Sequence, residues 1–455
     1  MTTTPMTSEP EAALRLMESV LRDGRPMSSE YAQLFGPRAT GHIETIEEQG
    51  EIVSTCAWLR RDLVVSGLEI PVAFVGSVAT HANHRGKGHG TAVVDRAIAR
   101  AAEEGAAIAL LWADESTWYQ ERGWVPLGSE NVFAINANNA FLLPDADGVR
   151  PMEHRDLGAV HRLYCTHEAR VDRRECDTEA MLTTPKLRAL VREVDGEVRG
   201  YACVGRGEDL AHCVHEWGGT PEDVLPIIAG HWAATREETD RLFVMVPETE
   251  ANFTAYFTFI RSLGARGILA MARIGDLGAL ARTFDRLTPD GITVEMVGDK
   301  SLALSAPSGR ILLTDHEILL ALCPPRGDAR VTSVVEAELG VELPMLPIEP
   351  YAWGRLAVTP PGPARRGAFV KGHRTRGLGS SSSPSPMSAR RPRRRGGPVS
   401  LGGAPRRNST VRIGRPRSRP IQEPREPGVA YPMEGFTNHG GPAPSVKRHA
   451  WPSAG

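Results

Sequence analysis

The sequence predicts an α/β (α+β) protein built from two tandem copies of one sheet-and-helix unit, then a small α+β domain and a basic tail. Three observations carry this. Short runs rich in β-branched residues alternate with glycine turns and single amphipathic helices, which is how a sheet with crossover helices reads in sequence. The order of those elements over residues 1–147 recurs over 148–273, although the residues do not. The composition then changes near residue 355, beyond which 20 Lys+Arg face 3 Asp+Glu and 16 of the 35 prolines gather.

A chain of 455 residues carries a prior of about three domains, and 41% hydrophobic residues are enough to fill several cores. The net charge of -2 hides a division: the tail from Arg355 onward is +17, and the remaining 33 basic and 52 acidic residues give -19. An acidic body argues against a nucleic-acid-binding core. No apolar run of about 18 residues is present, so no membrane span is expected, and Met1–Pro10 does not read as a secretory signal. The six cysteines include no CxxC pair and are expected to be reduced, mostly buried thiols of a cytoplasmic protein, neither a disulfide frame nor a zinc site.

Glu11–Arg22 has helical periodicity through Ala12, Leu14, Met17, Val20 and Leu21. Extended segments follow at Ile43–Ile46, Ile52–Leu59 and Val64–Val65, with turns at 48–50 and 66–67, and Ile70–Thr80 is a strong strand. The glycine-rich stretch His84–Gly90 opens a helix to about Glu104, whose apolar face is Ala92, Val93, Ala97, Ile98 and Ala101. Gly105 ends it, and Ala107–Trp112 is a short buried strand. In the second unit Leu157–Arg170 reads as a helix, and Leu190–Val194 with Val198–Gly205 as a hairpin about Asp195-Gly196. Ala211–Trp217 is a strand. Thr220 caps a helix that has Pro221 at its first position and runs to about Arg236. Leu242–Val246, a helix near 249–263 and Ile268–Ala272 complete the unit.

The third unit, 274–354, begins with a helix (Leu277–Leu287). Strands at Ile292–Val297, Ser301–Ser305 and Arg310–Thr314 follow, then helices at Asp315–Leu322 and Val331–Leu339. Residues 355–455 are rich in Arg, Pro, Gly and Ser and are expected to be disordered, since they cannot bury enough apolar surface.

Chemistry concentrates in Val75–Val94, where a strand runs into a loop with glycines at 86, 88 and 90 and the loop into a helix. Backbone N–H groups freed by glycine, a helix N-terminus, and Arg85 and Lys87 together suit a pyrophosphate. A Walker loop needs Ser or Thr after its Lys, but Lys87 precedes Gly88; a dinucleotide loop needs GxGxxG, but the spacing here is GxGxG. The pattern that fits is Arg-x-x-Gly-x-Gly at Arg85, Gly88 and Gly90, after a strand ending Val78-Ala79-Thr80. It resembles the coenzyme A loop of the Gcn5-related N-acetyltransferase (GNAT) superfamily. About thirty residues on, Trp118-Tyr119-Gln-Glu-Arg-Gly123-Trp124 is similar to that family's Tyr-x-x-x-Gly-Phe/Trp segment.

The resemblance implies acetyl-CoA as co-substrate, held by Val78, Ala79, Thr80, Arg85, Gly86, Lys87, Gly88, His89, Gly90 and Thr91. It also implies that Tyr119 protonates the departing thiolate. An alkylamine is mostly protonated at neutral pH and must lose a proton before it attacks a thioester. No Glu or Asp stands on Val72–Thr80, where many family members place the base. His81, His84 and His89 are expected to be solvent-exposed loop residues and not metal ligands, because the loop has no acidic or cysteine partner. In the second unit His212 and Glu216 could converge on a strand face, yet Glu216-Trp-Gly-Gly-Thr-Pro-Glu-Asp223 is acidic where the loop should be. That unit reads as a degenerate copy without cofactor.

One live and one degenerate unit before a small domain resemble the Eis-like (enhanced intracellular survival) group, whose third domain is similar to sterol carrier proteins. That group acetylates varied amines and uses its terminal carboxylate as base; here the chain continues for about a hundred residues past Gly354. The expected function is acetyl transfer to a primary amine, on a small cationic molecule or a lysine. The alternative is a non-catalytic acyl-CoA-binding or regulatory module. The basic tail permits nucleic-acid binding, although a frame-shifted read of GC-rich DNA gives the same composition. Self-association into a homo-oligomer is left open.

Overall fold

In the computed structural model, residues 9–340 are described apart from positions 37–38, 66, 114–115, 208, 248–249, 263, 289 and 326. The expected tail from 355 and the end of the third unit lie outside the described residues. The chain starts with α1 (Glu9–Leu21), which buries Ala13, Leu16, Met17 and Leu21 on one face. After the short α2 (Ala32–Phe35) come β1 (His42–Glu48), β2 (Glu51–Val65) and β3 (Leu68–Thr80), an antiparallel meander. The stretches 52–59 and 64–65 are one strand, not two. Arg60, Arg61 and Asp62 stay in the ladder, opposite Ala73, Val72 and Pro71. Backbone pairing thus overrides the polar interruption.

Helix α3 (His89–Glu103) crosses back over the sheet, burying Val93, Val94, Ala97, Ile98 and Ala101, and β4 (Ile108–Leu111) returns parallel to β3. Then come α4 (Ser116–Gln120) and β5 (Val125–Ile135), a strand not expected from sequence. Gly128, Ser129, Glu130 and Asn131 interrupt its apolar pattern, yet all four are buried in a strand that is paired on both edges and packed against α4 and, in the third unit, the helix at Asp315–Leu322. Such doubly covered strands lack the alternation that reveals an exposed one.

The second unit runs β6 (Val149–Pro151), α5 (Leu157–Tyr164), β7 (Ala169–Val171), α6 (Glu175–Leu182), β8 (Arg188–Val194) and β9 (Glu197–Arg206). It continues with β10 (Asp209–Gly218), α7 (Pro221–Thr235), β11 (Leu242–Pro247), α8 (Ala251–Phe259) and β12 (Gly264–Ile274). The helix expected to reach Arg170 stops at Tyr164. Its hydroxyl donates to the Val171 carbonyl (2.9 Å) and accepts from the Val171 N–H (3.0 Å), folding the chain back so that β7 pairs with β2. The β8–β9 hairpin turns on Asp195 and Gly196, both at positive φ (54° and 81°), as two-residue hairpin turns require.

The strand order is β1-β2-β3-β4-β12-β5-β11-β10-β9-β8-β6 in one continuous sheet. Its centre is an exchange. Strand β12, from the end of the second unit, lies between β4 and β5 of the first, and β5 in turn lies between β12 and β11. The expected boundary at 147/148 falls in the β5–β6 connection. The one at 273/274 falls inside β12, because Ile274 still pairs with Ile108. A second link joins Arg22 of the first unit to Asp209 of β10 (2.8 and 2.9 Å).

The third unit contains α9 (Leu277–Leu287), the three-stranded antiparallel sheet β13 (Thr293–Met296), β14 (Ser301–Ala306) and β15 (Gly309–Thr314), then α10 (Asp315–Leu322) and α11 (Arg330–Leu339). It docks on β5, where the Gly128 N–H donates to the Cys323 carbonyl at 3.0 Å. All six cysteines are free; Cys56, Cys203, Cys213 and Cys323 are buried, whereas Cys165 and Cys176 are exposed. No helix among the described residues is long and apolar enough to cross a membrane.

The strand exchange predicts that residues 1–147 alone lose the strand that bridges β4 and β5 and form no folded monomer. Co-expressed with 148–340, they should assemble into a 1:1 complex with native-like circular dichroism. A cooperatively melting 1–147 monomer would overturn this. A second prediction concerns the fully buried pair Arg173–Glu216 (2.7 and 3.0 Å), which also takes the Tyr201 hydroxyl at 2.9 Å. Burial alone would raise the Glu216 carboxyl, but Arg173 outweighs it and holds the pKa below the usual range. Removing one partner strands a buried charge, so Arg173→Met should cost about 3–5 kcal/mol in denaturant unfolding. The double variant Arg173→Met, Glu216→Leu should recover most of that loss.

Candidate active site

Strand β3 pairs with β4 at Val72–Ile108, Ala73–Ala109 and Phe74–Leu110 and then leaves it. From Val75 to Thr80 it is held by β2 alone, ending with Thr80 opposite Ser54. The parallel pairing therefore ends near the end of β4, and past it β3 has an open edge among the described residues, the wedge. A β-bulge lies along it. The β2–β3 register slips between Thr55 and Ala57, so Ser77 and Val78 together oppose Cys56. Ser77 has φ 50°, a left-handed conformation uncommon outside glycine, and its buried hydroxyl has no hydrogen-bond partner among the described residues. A bulge bends its strand and re-aims the backbone groups beside it. Val78, Ala79 and Thr80 thus lie along the open side of the wedge.

Beyond Thr80 a short 3-10 turn (Ala82–His84) leads to Arg85, whose Nε donates to the Thr80 carbonyl at 3.3 Å. Gly86 and Gly88 have φ 78° and 86°, and a Cβ on either would meet nothing within 4 Å. These glycines are needed for backbone conformation, and the space before α3 is open. Helix α3 begins at His89, so the backbone N–H groups of its first turn, including Gly90 and Thr91, have no intrahelical acceptor. Arg122 ties this turn to the next segment. Its Nε donates to Thr91 Oγ1 (3.0 Å), its Nη1 to the Trp118 carbonyl (2.6 Å), and its guanidinium lies 4.0 Å over the Trp118 ring.

Tyr119, in α4, stacks edge-on with Trp118 and Trp124 (4.7 and 5.9 Å between centroids). Among the described residues its hydroxyl has no hydrogen-bond partner. Burial, with the nearby Cys56 thiol adding to it, pushes the phenol pKa upward, so the proton stays on at neutral pH. Since Cys56 also faces the bulge, Tyr119 and the wedge belong to one region. A carboxylate missed by sequence reading stands behind it. Glu44, buried on β1 opposite Cys56, accepts from Trp58 Nε1 at 3.3 Å and lies 3.6 Å from Arg100.

The loop histidines require a correction. His81 is exposed, but His84 and His89 are partly buried, and an acidic partner does reach them from outside the loop. Glu48, at the end of β1, brings Oε2 to 2.8 Å from His84 Nδ1 and 3.2 Å from Lys87 Nζ, and Oε1 to 3.0 Å from His89 Nε2. Hydrogen bonds from Lys87 and His84 hold the Glu48 carboxyl below the usual carboxylate range. The β1–β2 hairpin brings it there from thirty-odd residues upstream, which inspection of the loop alone could not reveal.

In the second unit His212 and Glu216 do not converge. Glu216 is engaged by Arg173, whereas His212 lines a separate cavity of about 340 Å³ with Lys186, Arg188 and Glu238. The turn into α7 is also closed. A Cβ on Gly219 would lie 2.7 Å from the Arg199 carbonyl, one on Gly200 would meet Asp223 at 3.1 Å, and Asp223 pairs with Arg192. Open space at Gly86 and Gly88 and tight contact at Gly200 and Gly219 distinguish the two turns.

No curated protein matches the chain. Among solved structures, a conserved protein of unknown function from Enterococcus faecalis V583, described as a "probable N-acyltransferase", superimposes with TM-score 0.54 at 12% identity, covering 67% of this chain and 83% of that one. A GCN5-related N-acetyltransferase from Anabaena variabilis ATCC 29413 gives TM-score 0.51 at 14% identity, covering 70% of this chain and 88% of its own. These likenesses concern the fold. In sequence, residues 5–127, which contain the wedge, the loop and Tyr119, match the family model of the acetyltransferase (GNAT) domain.

Proposed function

We propose that the protein is an acetyl-CoA-dependent N-acetyltransferase with one active site, in the wedge between β3 and β4, and that its acceptor is a primary amine. The observation that carries this reading is the junction of the open strand wedge with an uncrowded glycine loop at the start of α3. The match of residues 5–127 to an acetyltransferase domain supports it. The pyrophosphate of the cofactor would lie on the backbone N–H groups of Gly86–Thr91, with the α3 N-terminus adding its positive partial charge. Arg85 and Lys87 would add charge, Lys87 after releasing Glu48. The pantetheine arm would pair with Val78–Thr80 as a strand does, since that edge of β3 has no strand partner among the described residues.

A deprotonated amine attacks the thioester carbonyl carbon. The C–N bond forms, the carbonyl electrons move to oxygen, and collapse of the tetrahedral intermediate expels the thiolate. Backbone N–H groups at the Ser77–Val78 bulge would stabilise the oxyanion. Tyr119, protonated and otherwise unpartnered, gives its proton to sulfur, and the proton that the nitrogen sheds as the neutral amide forms restores the phenol, so none is gained or lost. The acidic body favours cationic acceptors such as a small polyamine-like molecule or a lysine. The second unit, with its turn closed by Gly200, Gly219 and Asp223, serves the fold and binds no cofactor. The division into an acetyltransferase unit, a degenerate copy and a small sterol-carrier-like third domain belongs to the same proposal.

Two variants test this reading. Gly88→Asp places a carboxylate at the pyrophosphate and should abolish coenzyme A binding by calorimetry. Unchanged affinity would remove the loop from the site. Tyr119→Phe should keep coenzyme A affinity and lower thiol release from acetyl-CoA, with an amine panel as acceptors, by about 10²–10⁴-fold. Wild-type turnover in that variant would assign the proton elsewhere. Coenzyme A binding without turnover in the wild-type chain, against every amine, would favour a non-catalytic acyl-CoA-binding module.

A further inference from the structure

The chemistry proposed above takes only the backbone N–H of His89 and gives no catalytic role to the side chains of Glu48, His84 and His89, whose ligand atoms lie within 4.8 Å of one another. Their hydrogen bonding is frustrated. His84 Nδ1 lies 2.8 Å from Glu48 Oε2, which calls for a proton on that nitrogen, and 3.3 Å from Lys87 Nζ, which calls for a lone pair. An ammonium has donors only, so one nitrogen cannot satisfy both neighbours. His89 Nε2 is buried and 3.0 Å from Glu48 Oε1, yet it makes no aligned hydrogen bond. A cation among the three donor atoms removes both conflicts, since each imidazole then presents its lone pair and the carboxylate its charge.

We propose that Glu48, His84 and His89 form a divalent transition-metal site that takes Zn²⁺, with water as the fourth ligand. Two imidazoles and one carboxylate are a donor set that suits zinc. Tetrahedral bonds of about 2.0–2.1 Å place ligand atoms about 3.3 Å apart. The observed separations of 2.8 Å (His84 Nδ1 to Glu48 Oε2) and 3.0 Å (His89 Nε2 to Glu48 Oε1) run to different carboxylate oxygens, so the side chains must turn within their 4.8 Å cluster for one oxygen to share the metal with both imidazoles. The Lys87 ammonium is a stand-in for the metal, lodged against Glu48 Oε2 and His84 Nδ1. Its side chain is 49% exposed and can swing into solvent when the metal enters.

The test uses the full chain, stripped of metal and titrated with Zn²⁺ alone by calorimetry, with bound zinc counted by elemental analysis. Glu48→Gln, His84→Asn and His89→Asn should each lose one equivalent of zinc relative to wild type, so that binding elsewhere on the chain cancels in the difference. Lys87→Met keeps all three ligands and removes the competing cation, and should tighten zinc binding about tenfold. It also keeps the test decisive should a ligand variant fail to fold. Co²⁺ should give the visible absorption of a four-coordinate ion in wild type and Lys87→Met, and none in His84→Asn or His89→Asn. Equal zinc counts in wild type and the folded ligand variants, or unchanged or weaker binding in Lys87→Met, would overturn the site. The readout is the metal itself, so it stands or falls apart from the coenzyme A assignment.

Discussion

The exchange of β5 and β12 at the centre of the sheet is the constraint on which the rest depends. Each strand of the first unit from β1 to β4 could be satisfied within that unit, but β4 ends at an edge that β12 fills from about 160 residues downstream. The same strand covers β5, and β5 covers β11. No cut between 147 and 148 leaves two complete sheets. Sequence-distant pairing of this kind closes late, because a long loop must be ordered before the contact repays it. The pairing of β7 with β2 and the Arg22–Asp209 link fasten the units at further points.

β4 is held on its far side by β12, while β3 past Phe74 has no partner on the β4 side among the described residues. The bulge at Ser77 stores unfavourable backbone conformation and an unpaired hydroxyl in one buried residue. Such outliers persist where the surroundings fix them, and they cluster at sites that do chemistry. The second unit has a short parallel pairing of its own, Cys213–Phe243 and Val214–Val244. There the turn is packed shut, and an acidic first turn occupies the helix start. The two strand-to-helix turns therefore differ in the space beside their glycines, open at Gly86 and Gly88 and filled at Gly200 and Gly219.

Much of this was legible in sequence because its cause is local. The α3 face, the Asp195-Gly196 hairpin, the glycines at 86 and 88, and α9 and α10 depend on residues within one turn or one helix of each other. What stayed hidden depends on distant neighbours. Strand β5 lost its alternation by being buried on both sides, β7 is three residues fixed by the Tyr164 hydroxyl, and the strand exchange has no local signature. The site divides the same way. The loop and Tyr119 announce themselves by spacing, whereas Glu44, Glu48 and the unpaired Ser77 arrive through strand register.

Register also sets the electrostatics of the loop. Read alone, Arg85, Lys87 and a helix N-terminus make a purely cationic cradle. The β1–β2 hairpin ends in a way that places Glu48 in it, and that carboxyl stays ionised because Lys87 and His84 bond to it. An arriving polyanion therefore meets a loop whose lysine is already engaged. Releasing Lys87 costs little, since both it and Glu48 are partly exposed and their attraction is screened by solvent. Until release, Glu48 keeps the histidines and Lys87 gathered at one point. The backbone N–H groups, fixed by Gly86 and Gly88, need no such rearrangement. On the function proposed above, anion affinity in this loop would rest on main-chain geometry first and on side-chain charge second.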